Sequence, residues 1–270
     1  MEPHRPPVST AGFWDGLYAD GQDGWDLGEP APALVDWLDA GGRFEPAPAR
    51  AANAKSAAGE SAGASGMSAG GGSAGAISGP PQMKGLEEVD GGQPAPRNAA
   101  AGARIAVPGA GRGHDARLLA RRGYRVTAFD FAEAAVVEAR RLAAAEAVEL
   151  AVEQRDVFAL ARDHAGAFDG VWEYTCFCAI DPDRRDEYAR VLHAILRPGG
   201  LLLACFFPLR DGTDGPPFPV SRGDIERALA GRFTVLEAGP PPRSVERRRG
   251  LEWLVRARKA PSGGPGASDR

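Results

Sequence analysis

ARIAVPGAGRGHDARLLARRGYRVTAFD, residues Ala103–Asp130, decides how this chain folds. Its apolar start ends at the glycine-rich turn Gly109–Gly113. The spacing from His114 to Arg122 then predicts a helix, closed by Gly123, and Tyr124–Asp130 reads as a second apolar strand. Strand, glycine turn, helix and strand in that order open a parallel sheet, because two parallel neighbours need a crossover between them.

The same rhythm continues outward. Ala132–Glu146 is an alanine-rich helix, VELAVEQRDV (148–157) a third strand ending in an acid, and FDGVWEY (168–174) a fourth. Asp183–Leu196 is a helix stopped by Arg197-Pro198-Gly199-Gly200, and LLLACFF (201–207) is a fifth strand, apolar on both faces. RFTVLEAG (232–239) and LEWLVRARK (251–259) break the rhythm as two strands around a polar loop. The expectation is an α/β, Rossmann-like, mostly parallel doubly wound sheet with a C-terminal antiparallel hairpin at one edge. Upstream, Leu34, Val35, Trp37 and Leu38 have helical spacing within Ala33–Asp39.

The 270 residues include 36 glycines and 23 prolines, well above average usage of about 12% for the two together. Much of the excess lies in 46–101, which is almost free of aromatic and branched apolar residues, and in the tail 261–270. Such segments bury too little apolar surface to offset their ordering entropy. The division expected is an N-terminal lid segment with its helix (1–45), a low-complexity flexible insert (46–101), a core domain (102–260) and a disordered tail (261–270). A net charge of -4 gives no field for a polyanion, so nucleic acid is not expected as a partner. Three cysteines build no disulfide framework, the N-terminus lacks a signal-like apolar stretch, and no apolar run could span a bilayer. A soluble, cytoplasmic monomer is the expectation.

Ligands of open α/β sheets sit at the carboxyl ends of the strands. A dinucleotide fingerprint G-x-G-x-x-G would need glycine at position 114, where His114 stands. Asp130 ends the second strand where a carboxylate can accept hydrogen bonds from both hydroxyls of an adenosine ribose. Asp156 and Val157 follow the third strand, where an acid and the next backbone group can read an adenine edge. That combination, with the Arg197–Gly200 turn, points to S-adenosyl-L-methionine rather than NAD.

Together these residues resemble the class I methyltransferases, and within them the thiol, thiocyanate and halide branch of the thiopurine methyltransferase superfamily. The motifs are VPGAGRGHD (107–115), WEYTCFCAIDPDRRDEYA (172–189) and GPPFPV (215–220), over a span from about Phe13 to Lys259. The resemblance implies cofactor contacts from Trp14, Tyr18 and Trp25 in the N-terminal segment and from Gly109, Asp130, Asp156, Val157 and Tyr174. Tyr174 is also the residue expected to orient the nucleophile. The implied reaction is in-line methyl transfer from S-adenosylmethionine to a small soft nucleophile: a thiol, hydrosulfide, thiocyanate or halide. Such acceptors are partly or wholly anionic at neutral pH, so positioning and water exclusion should carry the rate without an indispensable general base.

The acceptor is expected between Tyr174, Phe177 and the Phe218 region, with Trp14 and Trp25 in the lid. Cys176 and Cys178 read as small buried residues rather than metal ligands, and no metal is expected. His114, His164 and His193 are given no chemistry, and Arg247-Arg248-Arg249 reads as a solvated turn. Two other readings stay open: an NAD(P)-dependent oxidoreductase, and a non-catalytic cofactor-binding protein.

Overall fold

The computed structural model describes residues 7–46 and 102–260. The flexible insert, apart from Pro46, and the tail expected from composition lie outside the described residues. The elements are α1 (Ala11–Ala19), α2 (Pro32–Asp39), β1 (Arg104–Pro108), α3 (His114–Arg121), β2 (Arg125–Asp130), α4 (Glu133–Ala145), β3 (Ala151–Gln154), α5 (Leu160–Asp163), β4 (Phe168–Tyr174), α6 (Arg185–Ile195), β5 (Leu196–Phe206), α7 (Arg222–Leu229), β6 (Phe233–Gly239) and β7 (Trp253–Lys259).

The seven strands form one sheet in the order β3-β2-β1-β4-β5-β7-β6. β3, β2, β1, β4 and β5 are parallel, while β7 runs antiparallel to both β5 and β6. This is the expected mostly parallel, doubly wound sheet, with the hairpin at one edge. β7 lies inside β6, so the chain passes over the edge and returns to pair with β5. Strand order reverses between β1 and β4, which leaves a crevice at their carboxyl ends.

Two buried clusters cover the faces. One packs Leu192, Ile195 and Phe206 against Val171 and Phe129. The other packs Leu34, Leu38 and Phe44 against Ile105, Trp172 and Leu203. α2 therefore belongs to the body of the fold. Phe44 lies so close to β4 that a Cβ on Gly170 would overlap its ring.

Several boundaries differ from expectation for local reasons. β3 is an edge strand that pairs only with Thr127–Asp130, and residues 147 and 148 are spent closing α4, where Val148 donates to the Ala143 carbonyl. β5 starts at Leu196, which pairs with Phe168, and the register then jumps to Gly170 and Leu201, so Arg197–Gly200 bulges out of the ladder near the amino end of the strand, with Gly199 at φ +71°. α6 begins at Arg185 after a single tight turn at Pro182–Arg184. α1, α5 and α7 were not expected. α7 had a readable signal, since Ser221 and Asp224 form a reciprocal capping box. α1 had almost none: it contains Gly12 and Gly16 and has no side-chain cap. Among the described residues, no helix is long and apolar enough to cross a membrane.

Candidate functional site

A cavity opens at the carboxyl ends of the parallel strands, and all eight residues singled out from the sequence line it: Trp14, Tyr18, Trp25, Gly109, Asp130, Asp156, Val157 and Tyr174. The strands deliver five of them. Gly109 follows β1, Asp130 ends β2, Asp156 and Val157 follow β3, and Tyr174 ends β4.

Gly109 has φ +61°, and a Cβ there would meet the Cys176 Sγ at 2.7 Å. Glycine is thus required by close approach of the segment after β4. Asp130 anchors the same corner, because its Oδ2 accepts from the Gly111 N–H at 2.9 Å and its Oδ1 from the Ala132 N–H at 3.0 Å. Two accepted bonds leave lone pairs on both oxygens for a ligand. Burial pushes the Asp130 carboxyl above the usual range, and backbone hydrogen bonds oppose that shift. Asp156 is exposed at the cavity lining, and its Oδ1 accepts from the Phe158 N–H at 2.9 Å.

The other three come from the N-terminal segment. Trp14 and Tyr18 are four apart on α1, so they share a face. Trp25 packs edge-on to both, at centroid distances of 5.3 Å and 5.4 Å. Trp25 Nε1 points at the Tyr18 hydroxyl at 3.4 Å, and Trp14 Nε1 donates to the Val8 carbonyl at 2.9 Å. Asp26 ties this aromatic cover to the sheet: its Oδ2 accepts from Arg112 at 2.8 Å, and its Oδ1 lies 3.2 Å from His114 Nε2. Burial alone would raise the Asp26 carboxyl. The close His114 ring, with hydrogen bonds from the Gly28 N–H and Arg112, outweighs burial and holds it well below the usual carboxylate range. His114, given no chemistry from sequence, therefore helps to seat the cover.

Beyond Tyr174 the lining includes Cys176, Cys178, Ile180, Phe207, Pro216 and Pro217, with Thr175, Asp181 and Arg184 beside them. This corrects the expected acceptor end. Phe177 is 3% exposed and packs on Phe206 at 5.1 Å, away from the cavity, and Phe218 folds back over Gly215 and lines no part of it. The GPPF segment contributes its prolines, held in place because the Phe218 N–H donates to the Cys178 carbonyl at 2.7 Å. Cys176, Cys178 and Cys205 are free and buried, and burial pushes their thiols up, Cys178 to about 12. The Arg197–Gly200 segment is also corrected. It lies at the amino end of β5, where Arg197 pairs with Asp169 at 2.6 Å, so it contributes nothing to this cavity.

Two functional neighbours were missed from sequence, Arg248 and Glu252. Arg248, expected in solvent, is 2% exposed. It donates to the Tyr174 hydroxyl oxygen at 2.5 Å, and that hydroxyl donates in turn to Glu252 Oε1 at 2.6 Å. Burial raises the Tyr174 phenol, so its proton stays directed at Glu252. Within Arg247-Arg248-Arg249 only the structure separates the buried middle residue from its exposed neighbours.

The thiopurine S-methyltransferase (TPMT) family matches residues 94–259. Thiocyanate methyltransferase 1 of Arabidopsis thaliana is 30% identical over 159 residues, which cover 58% of this chain and 69% of that protein. A solved structure reported for the conversion of a disulfide bond into a thioacetal group during echinomycin biosynthesis has a TM-score of 0.56. It covers 87% of this chain and 84% of its own, at 21% identity. A SAM-dependent methyltransferase from Methanosarcina mazei aligns with a TM-score of 0.51 over 58% of this chain and 92% of its own, at 19% identity.

Proposed function

Because the chain belongs to the thiopurine S-methyltransferase family and is an S-adenosylmethionine-dependent methyltransferase, we propose that it methylates a small soft nucleophile such as a thiol, hydrosulfide, thiocyanate or halide. The observation that carries this reading is the apolar stretch of the wall beyond Tyr174, two thiols, an isoleucine, a phenylalanine and two prolines, set beside Thr175, Asp181 and Arg184. Such a wall solvates a hard oxygen nucleophile poorly and suits a polarisable, weakly hydrated one. Thiocyanate, the substrate class in the name of the Arabidopsis relative, is of that kind.

The residues present fit the methyl donor. Asp130 keeps free lone pairs at the end of β2, Asp156 and Val157 stand where an adenine edge would be read, and Trp14, Tyr18 and Trp25 supply aromatic faces for a cation. Bound there, S-adenosylmethionine supplies a methyl group activated by its sulfonium. The chain's own work is positional: Asp130 orients, the aromatic cover excludes water, and the apolar wall holds the acceptor in line. The Tyr174 hydroxyl, bonded to Arg248 and Glu252, presents its ring to the cavity and is not available as a base. The same proposal places the protein in the reducing cytoplasm, which suits its three free thiols.

Headspace mass spectrometry of purified protein with labelled donor, offered iodide, hydrosulfide and thiocyanate in competition, tests the acceptor class. Labelled methanethiol, methyl thiocyanate or iodomethane is the expected product; turnover with none of the three but with a larger thiol would move the acceptor away from small ions.

A further inference from the structure

Arg248 lies outside the cavity yet touches three segments that close it. It sits in the single turn Glu246–Arg248 that precedes β7, and its side chain is directed inward. One guanidinium nitrogen donates to the Tyr174 hydroxyl oxygen at 2.5 Å and another to the Trp25 carbonyl at 2.6 Å. The guanidinium carbon lies 5.1 Å from the centre of the Tyr174 ring and 4.6 Å from that of Phe207. Trp25 belongs to the N-terminal cover, Tyr174 ends β4 and Phe207 follows β5, and each of them lines the cavity.

Among the described residues Arg248 makes no direct ion pair, and its charge is linked to Glu252 through the Tyr174 hydroxyl. A buried guanidinium is costly to desolvate and is weak evidence for stability. Its fixed fork of donors, however, can hold two acceptors in one geometry, which a lysine ammonium does less well. Next to it, Arg247 donates to the Asp26 carbonyl at 3.1 Å, so the connection between β6 and β7 grips the cover at two consecutive carbonyls.

We propose that Arg248 is a positioning residue that locks the N-terminal cover to the acceptor end of the cavity, so that one side chain sets both the seat of Trp25 and the orientation of Tyr174. This rests on the reading above only in taking S-adenosylmethionine as the donor.

The test compares wild type, Arg248→Met, Arg248→Lys, Tyr174→Phe and the double variant Arg248→Met/Tyr174→Phe in the full chain. Calorimetric binding of S-adenosylhomocysteine is read first, then KM for the donor and kcat with whichever acceptor the wild type turns over. Losing a hydrogen bond to a charged group is worth about tenfold in affinity or more. Arg248→Met should therefore raise the dissociation constant and the donor KM about tenfold, with kcat changed less than about threefold, because a loosened cover weakens binding more than chemistry. Arg248→Lys should fall between wild type and Arg248→Met. The double variant should lose less than the product of the two single losses.

Unchanged binding in Arg248→Met, wild-type binding in Arg248→Lys, or independent losses in the double variant would each overturn the proposal. A variant with a lower melting temperature but wild-type affinity would overturn it too, because Arg248 would then be structural only. Should Arg248→Met fail to fold, Arg248→Lys and Tyr174→Phe decide by the same affinities. If wild type itself binds no S-adenosylhomocysteine, the donor assignment fails instead, which is a different result.

Discussion

The two ends of the cavity are assembled by different means. At one end Gly109, Asp130, Asp156 and Val157 each follow a parallel strand, so a regular alternation of elements brings them together with no help from distant contacts. At the other end Tyr174 depends on Arg248 and Glu252, more than 70 residues away, and the wall depends on a loop carrying Pro216 and Pro217. The first end follows from the topology of the sheet. The second depends on buried polar groups that must find their partners.

Glu173 gives the sharpest way to break the second end. It points away from Tyr174 into the apolar core, and its Oε1 accepts from the Phe177 N–H at 2.7 Å, which pins the segment carrying Cys176 and Cys178. Its other oxygen has no hydrogen-bond partner. Cys176, Cys178, Tyr188 and the Arg185 guanidinium surround it, and burial pushes its carboxyl up to about 7. A carboxyl raised on folding contributes stability that is present below the unfolded value near 4.5 and lost as pH rises through about 7. At 1.36 kcal/mol per pKa unit the loss is about 3 kcal/mol. Thermal melts from pH 5 to pH 8 should show it, and Glu173→Gln should flatten that slope; an unchanged slope would remove Glu173 from the account.

The first end is tested through Asp130. Two ribose hydroxyls donating to one carboxylate are worth about a hundredfold in affinity. Asp130→Ala should therefore weaken S-adenosylhomocysteine binding by about that factor, as read by calorimetry. A change below fivefold would mean that the carboxylate serves only the Gly111 and Ala132 N–H groups.

Trp25 joins the ends, with its ring on Trp14 and Tyr18 and its carbonyl on Arg248. Trp25→Ala should weaken donor binding about tenfold, and weaken the neutral product less, because an aromatic face favours a cation. Equal losses for donor and product, measured side by side, would assign the ring to packing alone.

This contrast also explains what the sequence made legible. The strand-end residues could be read because each sits at a fixed offset from an apolar run and a glycine or acid. The aromatic cover came only from the family resemblance, since α1 has two glycines and no cap. Arg248 could not be found, because three consecutive arginines in a polar loop read as solvent-facing and burial of the middle one is a long-range outcome. Phe177 was misplaced for a related reason. Thr175 adopts φ +66° just after β4, and that left-handed step breaks the strand alternation that would otherwise say which side chains face the cavity.

Arg197 supplies the smallest expected effect, and it tests whether the two ends are all that the ligand requires. Its Nε donates to Asp169 Oδ1 at 2.6 Å and one Nη to the Glu45 carbonyl at 2.9 Å, while Asp169 also accepts from the Arg104 N–H at 2.7 Å. These contacts fasten the amino ends of β1, β4 and β5 to the segment that follows α2, at the opposite end of the strands from the cavity. Arg197→Ala removes one charged partner of Asp169 while the Arg104 N–H and guanidinium remain, so it should cost about 1 kcal/mol of stability in a denaturant melt. Affinity for S-adenosylhomocysteine should stay within twofold of wild type, since no strand-end residue changes its partners. A larger loss would show that the glycine-containing segment Arg197–Gly200 acts on the cavity through the length of β5, and the division between a locally encoded end and a long-range end would then have to include the far end of the sheet.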